Sequence, residues 1–387
     1  MSSNTSVRPI RLGMVGGGND AFIGGVHRIA ARLDNQFELV AGALSSSSEK
    51  AKASAEALGL DSTRSYANFE AMAQAESQRE DGIEAVSIVT PNHVHFDAAK
   101  PFLECGIHVI CDKPLTATME QAAQMEKAVQ SSDSLFVLTH NYTGYPMIRQ
   151  ARSMIAEGAI GKVRIVQAEY PQDWLTSPLE KEGLKQAEWR TDPARSGAGG
   201  SVGDIGTHAY NLACFVTGLE GEALLADLQS FGDGRVLDDN ANVLLRFDGG
   251  ARGMLWCSQV APGNDNGLKL RVYGDNGSFE WSQEDPNYLW CTVHGQPKQL
   301  IRRASAGFHP SAEGSSRIPA GHPEGYLEGF ANIYKDTADA IRAMQSGTAR
   351  DDAMGLLPGL SQGLSGMNFI DACVRSSKDN ASWVALK

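Results

Sequence analysis

What most constrains this chain is an alternation running through its first 141 residues, in which a short apolar run, a turn and a helically spaced stretch recur. "IRLGMV" (10–15) ends in three glycines and leads into "VHRIAARL" (26–33), and "FELVAGAL" (37–44) leads into "SEKAKASAEALGL" (48–60), closed by Gly59. "AVSIVT" (85–90), "HFDAAKPFLECG" (95–106), "HVIC" (108–111), "TMEQAAQMEKAVQSS" (118–132) and "LFVLTHN" (135–141) continue the pattern. Continuous apolar runs of this length are strands buried on both faces, and joining them through helices makes their sheet parallel. The expected class is α/β, with helices on both sides of that sheet.

Beyond residue 141 the rhythm breaks. "MIRQARSMIAEG" (147–158) is helical, "VRIVQAEYP" (163–171) is strand-like, and a polar stretch precedes the helical "IGTHAYNLACFVTG" (205–218). "EALLADLQSF", "NVLLRFDGG", "RGMLWCSQV", "LKLRVYGDNGSFEW" and "LWCTVH" then follow without intervening helices, which predicts a second unit of α+β type with a large, mostly antiparallel open sheet. "IYKDTADAIRAM" and "LPGLSQGLSGMNFIDACVRSS" close the chain as helices, after a loop over 303–325 too long to be a mere connector. A chain of 387 residues exceeds the size at which one core stops growing, so two domains are expected, 1–141 and 142–387.

Charge and cysteine usage narrow the partners. A net charge of −12 with no compensating Lys/Arg cluster excludes a nucleic-acid backbone and leaves a small molecule. No apolar run approaches a bilayer span, and "MSSNTSVRPIRLGMVGGG" lacks an export pattern, so a cytoplasmic location away from membranes is expected. The six cysteines are scattered without a C-x-x-C pair and read as reduced thiols. His93 and His95 form an H-x-H pair, but no carboxylate or cysteine stands at ligand spacing, and no metal is expected.

"VGGGNDAFIGGVH" follows the first strand and opens the first helix, the setting in which a glycine turn receives a pyrophosphate. Gly16 suits the tight turn and Gly18 the close backbone approach, whereas Ala21 stands at the usual third-glycine place. Gly24 serves if the loop carries three extra residues, and Ser45 then falls 21 residues on, at the end of the second strand. An acid there would grip the ribose of NAD; Ser45, Ser46 and Lys50 suit either NAD or the 2′-phosphate of NADP.

Two further stretches carry chemistry. Thr90, Pro91 and Asn92 end the third strand and Lys113 ends the fourth, so all face the crevice where such sheets bind ligands, although a lysine at a strand end also serves plain solvation. In "SGAGGSVGDIGTHAYNLACF" (196–215), Ser201 and Asp204 have capping-box character, and Ile205, Ala209, Leu212 and Val216 share one helical face. Asp204 and His208 stand one turn apart, where a carboxylate can orient a proton-transferring imidazole; a helix cap beside a satisfied core histidine is the plainer alternative. The glycines at 197, 199, 200 and 203 permit a close backbone approach, to a ligand among other things.

The glycine turn, "CDKP" (111–114) and "GGSVGDIGTH" (199–208) together resemble the Gfo/Idh/MocA family, whose signatures are E-K-P and G-G-G-x-x-x-D-x-G-x-H. The resemblance implies an N-terminal Rossmann domain, a C-terminal α+β domain whose sheet builds dimers or tetramers, and oxidation of a sugar or cyclitol hydroxyl with NAD or NADP, NAD being the first choice. It makes Lys113, Asp204 and His208 the catalytic group, with His208 as general base, Lys113 polarising the reacting hydroxyl and Asp204 positioning substrate. The cofactor contacts expected are Gly16, Gly18, Asn19, Phe22, Ile23, Ser45, Ser46, Lys50, Thr90, Pro91, Asn92, His95, Asp112, Lys113 and Asn141. Tyr142, Trp189, Arg190 and His322 join the catalytic group around the substrate. Asp112 departs from the family's Glu, and Thr143 and Gly144 stand where many members have Arg-Phe. The expected function is an NAD(P)-dependent dehydrogenase of a cyclic polyol. Its alternatives are a glycosidase using transient sugar oxidation and a dinucleotide-sensing regulator without turnover.

Overall fold

The computed structural model describes residues 8–19 and 21–386; the first seven residues of the segment read above for an export pattern lie outside them. The first alternation folds as β1 (Ile10–Gly16), α1 (Phe22–Leu33), β2 (Phe37–Ala43), α2 (Ser48–Ala57), α3 (Phe69–Ser77), β3 (Ala85–Val89), α4 (His95–Glu104), β4 (His108–Cys111), α5 (Met119–Gln130) and β5 (Phe136–Leu138). Its strands form a parallel sheet in the order β2-β1-β3-β4-β5. The chain steps outward in opposite directions from β1, leaving a crevice at the carboxyl ends of β1 and β3, as in Rossmann sheets. α3, absent from the sequence reading, starts where the Asn68 side chain accepts the Ala71 N–H, and it buries Met72 and Ala73.

The second sheet contains β6 (Val163–Pro171), β7 (Gly221–Gln229), β8 (Asn240–Phe247), β9 (Arg252–Ser258), β10 (Lys269–Gly274), β11 (Gly277–Ser282), β12 (Tyr288–Val293), β13 (Gln299–Arg302) and β14 (Val384–Ala385). The order is β13-β12-β11-β10-β6-β9-β8-β7-β14, and every pair is antiparallel except β6 with β9. One face lies against the helices Pro146–Ala156, Thr207–Thr217 and Leu360–Lys378. The other face is open, and along it Leu244, Met254, Trp290 and Leu300 are 40–45% exposed.

The two sheets share more than a hinge. The helix Tyr326–Gln345, which comes late in the sequence, lies beside α1 on the first sheet, where Phe330, Ile333, Tyr334 and Ile341 pack with Leu12, Val26, Ala30 and Ile110. Arg317, in the loop before that helix, forms an ion pair with Asp34 at the end of α1.

Candidate active site

One wall of the crevice is made mainly of backbone. Gly16 and Gly17 adopt φ of +75° and +70°, which side chains disfavour, and a Cβ on Gly16 would stand 2.8 Å from the Val89 carbonyl. Gly24 fills the role expected of a displaced third glycine, since a Cβ there would lie 2.4 Å from the Gly17 Cα. Gly18 lies so close to the Leu44 carbonyl and Ser54 hydroxyl that a methyl would meet them at 2.9 and 2.8 Å, and the Asn19 N–H donates to Ser54 Oγ. Phe22 is 72% exposed at the start of α1; Ser46 and Lys50 are exposed past the end of β2. Farther in, Thr90 Oγ1, His140 Nδ1 and Asn141 Nδ2 are buried without hydrogen-bond partners. Orphaned polar atoms beside a glycine cradle fit a polar ligand such as a nicotinamide dinucleotide, because burying them unpaired is costly.

The opposite wall is made of side chains. Lys113, at the end of β4, places its ammonium 2.8 Å from Asp204 Oδ1 and also donates to the Asp204 carbonyl. Arg190 Nε and Gln259 Nε2 donate to Asp204 Oδ2 at 3.2 and 2.9 Å. The lysine therefore meets both a counter-charge and the crevice. The expected Asp204–His208 contact is not made; two cations and an amide outcompete a neutral imidazole for the carboxylate, charge-assisted bonds being the stronger.

Asp204 sits in a π-helical turn, Val202–Gly206, that widens the start of the helix Thr207–Thr217, a feature often found at functional sites. The capping box does not form. Asp238 holds the turn from outside it, its carboxylate accepting the Gly200 N–H, the Ser201 hydroxyl and the Val202 N–H at 2.7, 2.6 and 2.8 Å. Two glycines of the run are crowded by protein backbone: a Cβ on Gly197 would meet the Ala117 carbonyl at 2.5 Å, and one on Gly200 the Asp238 carbonyl at 2.0 Å, whereas Gly203 faces open space.

His208 is 9% exposed, with its ring edge-on to Tyr142 at 4.9 Å and to His140 at 5.6 Å. Burial, then the charge of Lys113 and the neighbouring His140, hold its pKa well below the ordinary imidazole value of 6.5. Burial and Lys113 likewise bring His140 down to about 3. Burial would raise the Asp204 carboxyl, but Lys113 and Arg190 outweigh it and keep the group ionised. The crevice thus pairs a neutral imidazole, able to accept a proton, with an ammonium able to stabilise negative charge on oxygen.

Four tyrosines line the far side of the crevice. Tyr142 hydrogen-bonds Tyr170, which donates to Asn266 Oδ1 at 2.8 Å; the Tyr145 ring stacks on Tyr142 at 5.8 Å, and Tyr326 reaches the group at 6.5 Å. Arg190 lies 4.2 Å from the centre of the Trp189 ring, so that residue backs the guanidinium.

Three expected contacts lie elsewhere. His95 is fully buried between the Pro114 carbonyl, 2.8 Å from Nδ1, and the Thr90 carbonyl, 3.0 Å from Nε2, with one ring N–H to donate to one of them, so it packs behind the crevice. The Asn92 amide donates to the Ser196 carbonyl, joining the two walls. His322 is exposed on its loop, and its carbonyl accepts from Arg303. Conversely, Asp238, Gln259 and Tyr326 were not picked out from the sequence. Tyr326 alone had a local signal, at the end of a long polar loop opening a helix.

Comparison with known proteins agrees with this arrangement. Residues 10–142 match the oxidoreductase family model for an NAD-binding Rossmann fold, and residues 148–280 match the GFO/IDH/MocA C-terminal domain. An oxidoreductase of known structure from Sinorhizobium meliloti is 60% identical, with 98% of this chain and 100% of that chain covered and a TM-score of 0.88. An inositol dehydrogenase homolog from Azotobacter vinelandii, solved with NADH and myo-inositol, is 36% identical over 98% of both chains, with a TM-score of 0.91. Levoglucosan dehydrogenase of Pseudarthrobacter phenanthrenivorans is 29% identical over 80% of this chain and 84% of its own. Fold, crevice and full-length similarity agree, and the chain belongs to the GFO/IDH/MocA family of oxidoreductases.

Proposed function

We propose that the protein oxidises a secondary hydroxyl of a cyclic polyol, an inositol or a pyranose sugar, using NAD or NADP. The observation that carries this reading is a neutral His208 and a Lys113 ammonium sharing the crevice at the carboxyl ends of a parallel sheet. His208 takes the hydroxyl proton. Lys113 donates to the same oxygen and stabilises its growing negative charge, while Asp204 fixes the ammonium and, through Arg190 and Gln259, the donors beside it. When bound, the dinucleotide supplies the hydride acceptor. Gly16, Gly18, Asp112, Thr90 and Asn141 would hold it, and Tyr142, Trp189 and Arg190 would wall the ring of the substrate.

The substrate class is supported by relatives whose names specify inositol and levoglucosan. A dimer or tetramer formed through the open face of the second sheet is supported by its exposed apolar stripe. Six free cysteines fit a reducing cytoplasm. The test is absorbance-monitored turnover with NAD and separately NADP against inositols, aldoses and anhydrosugars. Reduction of one cofactor by a defined polyol is the expected result and fixes what Ser45, Ser46 and Lys50 select. Tight dinucleotide retention with no net reduction by any of them would overturn the dehydrogenase reading.

A further inference from the structure

Beneath the crevice lies a polar cluster that the proposed reaction leaves unused. His27 of α1 is fully buried. Its Nδ1 stands 2.8 Å from the Tyr334 hydroxyl and 3.2 Å from Ser87 Oγ, and those two oxygens are 2.8 Å apart. Nε2 has no hydrogen-bond partner and faces Asp112 Oδ1 at 4.0 Å.

Counting protons assigns the tautomer. Tyr334 and Ser87 supply two hydroxyl hydrogens for the three edges of the triangle. Tyr334 donating to Nδ1 and Ser87 donating to Tyr334 satisfy the two 2.8 Å edges and leave the 3.2 Å edge without a hydrogen. Nδ1 is then an acceptor and the ring hydrogen sits on Nε2, aimed at a carboxylate. The other tautomer would place a lone pair toward that carboxylate and leave one hydroxyl hydrogen in excess. Burial, the largest influence on His27, disfavours its protonation and keeps the ring neutral.

Asp112 Oδ1 already accepts Thr139 Oγ1 at 2.7 Å and the Lys113 N–H at 3.1 Å. With Oδ1 held by donors from the protein, Oδ2 is left for a ligand hydroxyl in the crevice. We propose that His27, oriented by Tyr334 and Ser87, is a positioning residue that steers the Asp112 carboxylate toward a hydroxyl of the bound dinucleotide. The proposal rests on reading the crevice as the dinucleotide site. It gives the helix Tyr326–Gln345 a part in cofactor binding that it plays from behind the sheet.

The experiment is titration of the protein with NADH, followed by ligand fluorescence, in wild type, His27→Phe, Tyr334→Phe, Asp112→Asn and the His27→Phe/Asp112→Asn and Tyr334→Phe/Asp112→Asn double variants. His27→Phe is expected to weaken NADH by about three- to fivefold, the scale of losing an electrostatic contact to the carboxylate at 4.0 Å rather than a hydrogen bond. In the Asp112→Asn background that loss should largely vanish, because partners in one network couple. Tyr334→Phe keeps the packing and removes only the hydroxyl, so a smaller weakening that also vanishes with Asp112→Asn supports the proposal even if His27→Phe does not fold. Equal losses in both backgrounds, or unchanged affinity in the single variants, would overturn it. Wild-type protein that binds no dinucleotide would overturn the cofactor reading and this proposal together, whereas tight wild-type binding with unaffected variants overturns this proposal alone.

Discussion

The two walls of the crevice are built on opposite principles. The glycine turn on one wall comes from one continuous stretch, a strand, a turn and a helix, and its surface is backbone crowded at Gly16, Gly17, Gly18 and Gly24. The facing wall is assembled from Lys113, Arg190, Asp204, His208 and Gln259, brought together from four separate segments, and its surface is charged and polar side chains. Crowding should therefore break the first and truncation the second.

The largest effect is expected on the side-chain wall. In the proposed reaction His208→Ala removes the base and should lower kcat by about 10³-fold with the cofactor Kd little changed, as steady-state and binding measurements would show. Lys113→Ala should cost about 10²- to 10³-fold by the same assay, since the ammonium acts on charge that develops only during reaction. A Lys113→Ala enzyme within a few-fold of wild type would remove the distinction between the walls.

On the backbone wall the sensitive change is addition. Gly24→Ala places a methyl 2.4 Å from the Gly17 Cα and should cost about 1–3 kcal/mol in denaturant unfolding, with loss of NADH affinity. Smaller still is a pH effect shared by both walls. His27, His95, His140 and His208 all have pKa values lowered in the fold from 6.5. Each takes up a proton on unfolding once the pH drops below that value, so this stability is intact above it and is lost as the pH falls toward the folded pKa. Melting temperature should accordingly decline from neutral pH to about pH 5, and the acid limb of kcat/KM should lie below the ordinary histidine range. The least effect belongs to truncating an exposed side chain past the end of β2. Ser46→Ala should shift the NAD Kd by no more than about twofold, and a larger loss would show that the backbone wall too relies on side chains.

The same contrast explains what the sequence made legible. The parallel sheet was readable because each strand, turn and helix declares itself within about 30 residues. Gly24 was readable from its spacing, and Lys113 from its place at a strand end. Asp238 and Gln259 were not, because their roles arise when the second sheet folds against a turn that lies tens of residues earlier in the chain. His95 shows the converse failure. Its position beside Thr90 suggested a cofactor contact, but only the three-dimensional packing reveals that the ring is buried between two carbonyls behind the crevice. Glycines 197 and 200 signalled close approach correctly without revealing that protein backbone is what approaches.

The helix Tyr326–Gln345 bears on any attempt to dissect the chain. Because it covers one face of the first sheet, a fragment cut near residue 141 would expose Leu12, Val26 and Ile110 to water. The nucleotide-binding half is thus completed by a helix far downstream in the chain, so an emerging chain must keep an unfinished apolar face shielded until that helix arrives.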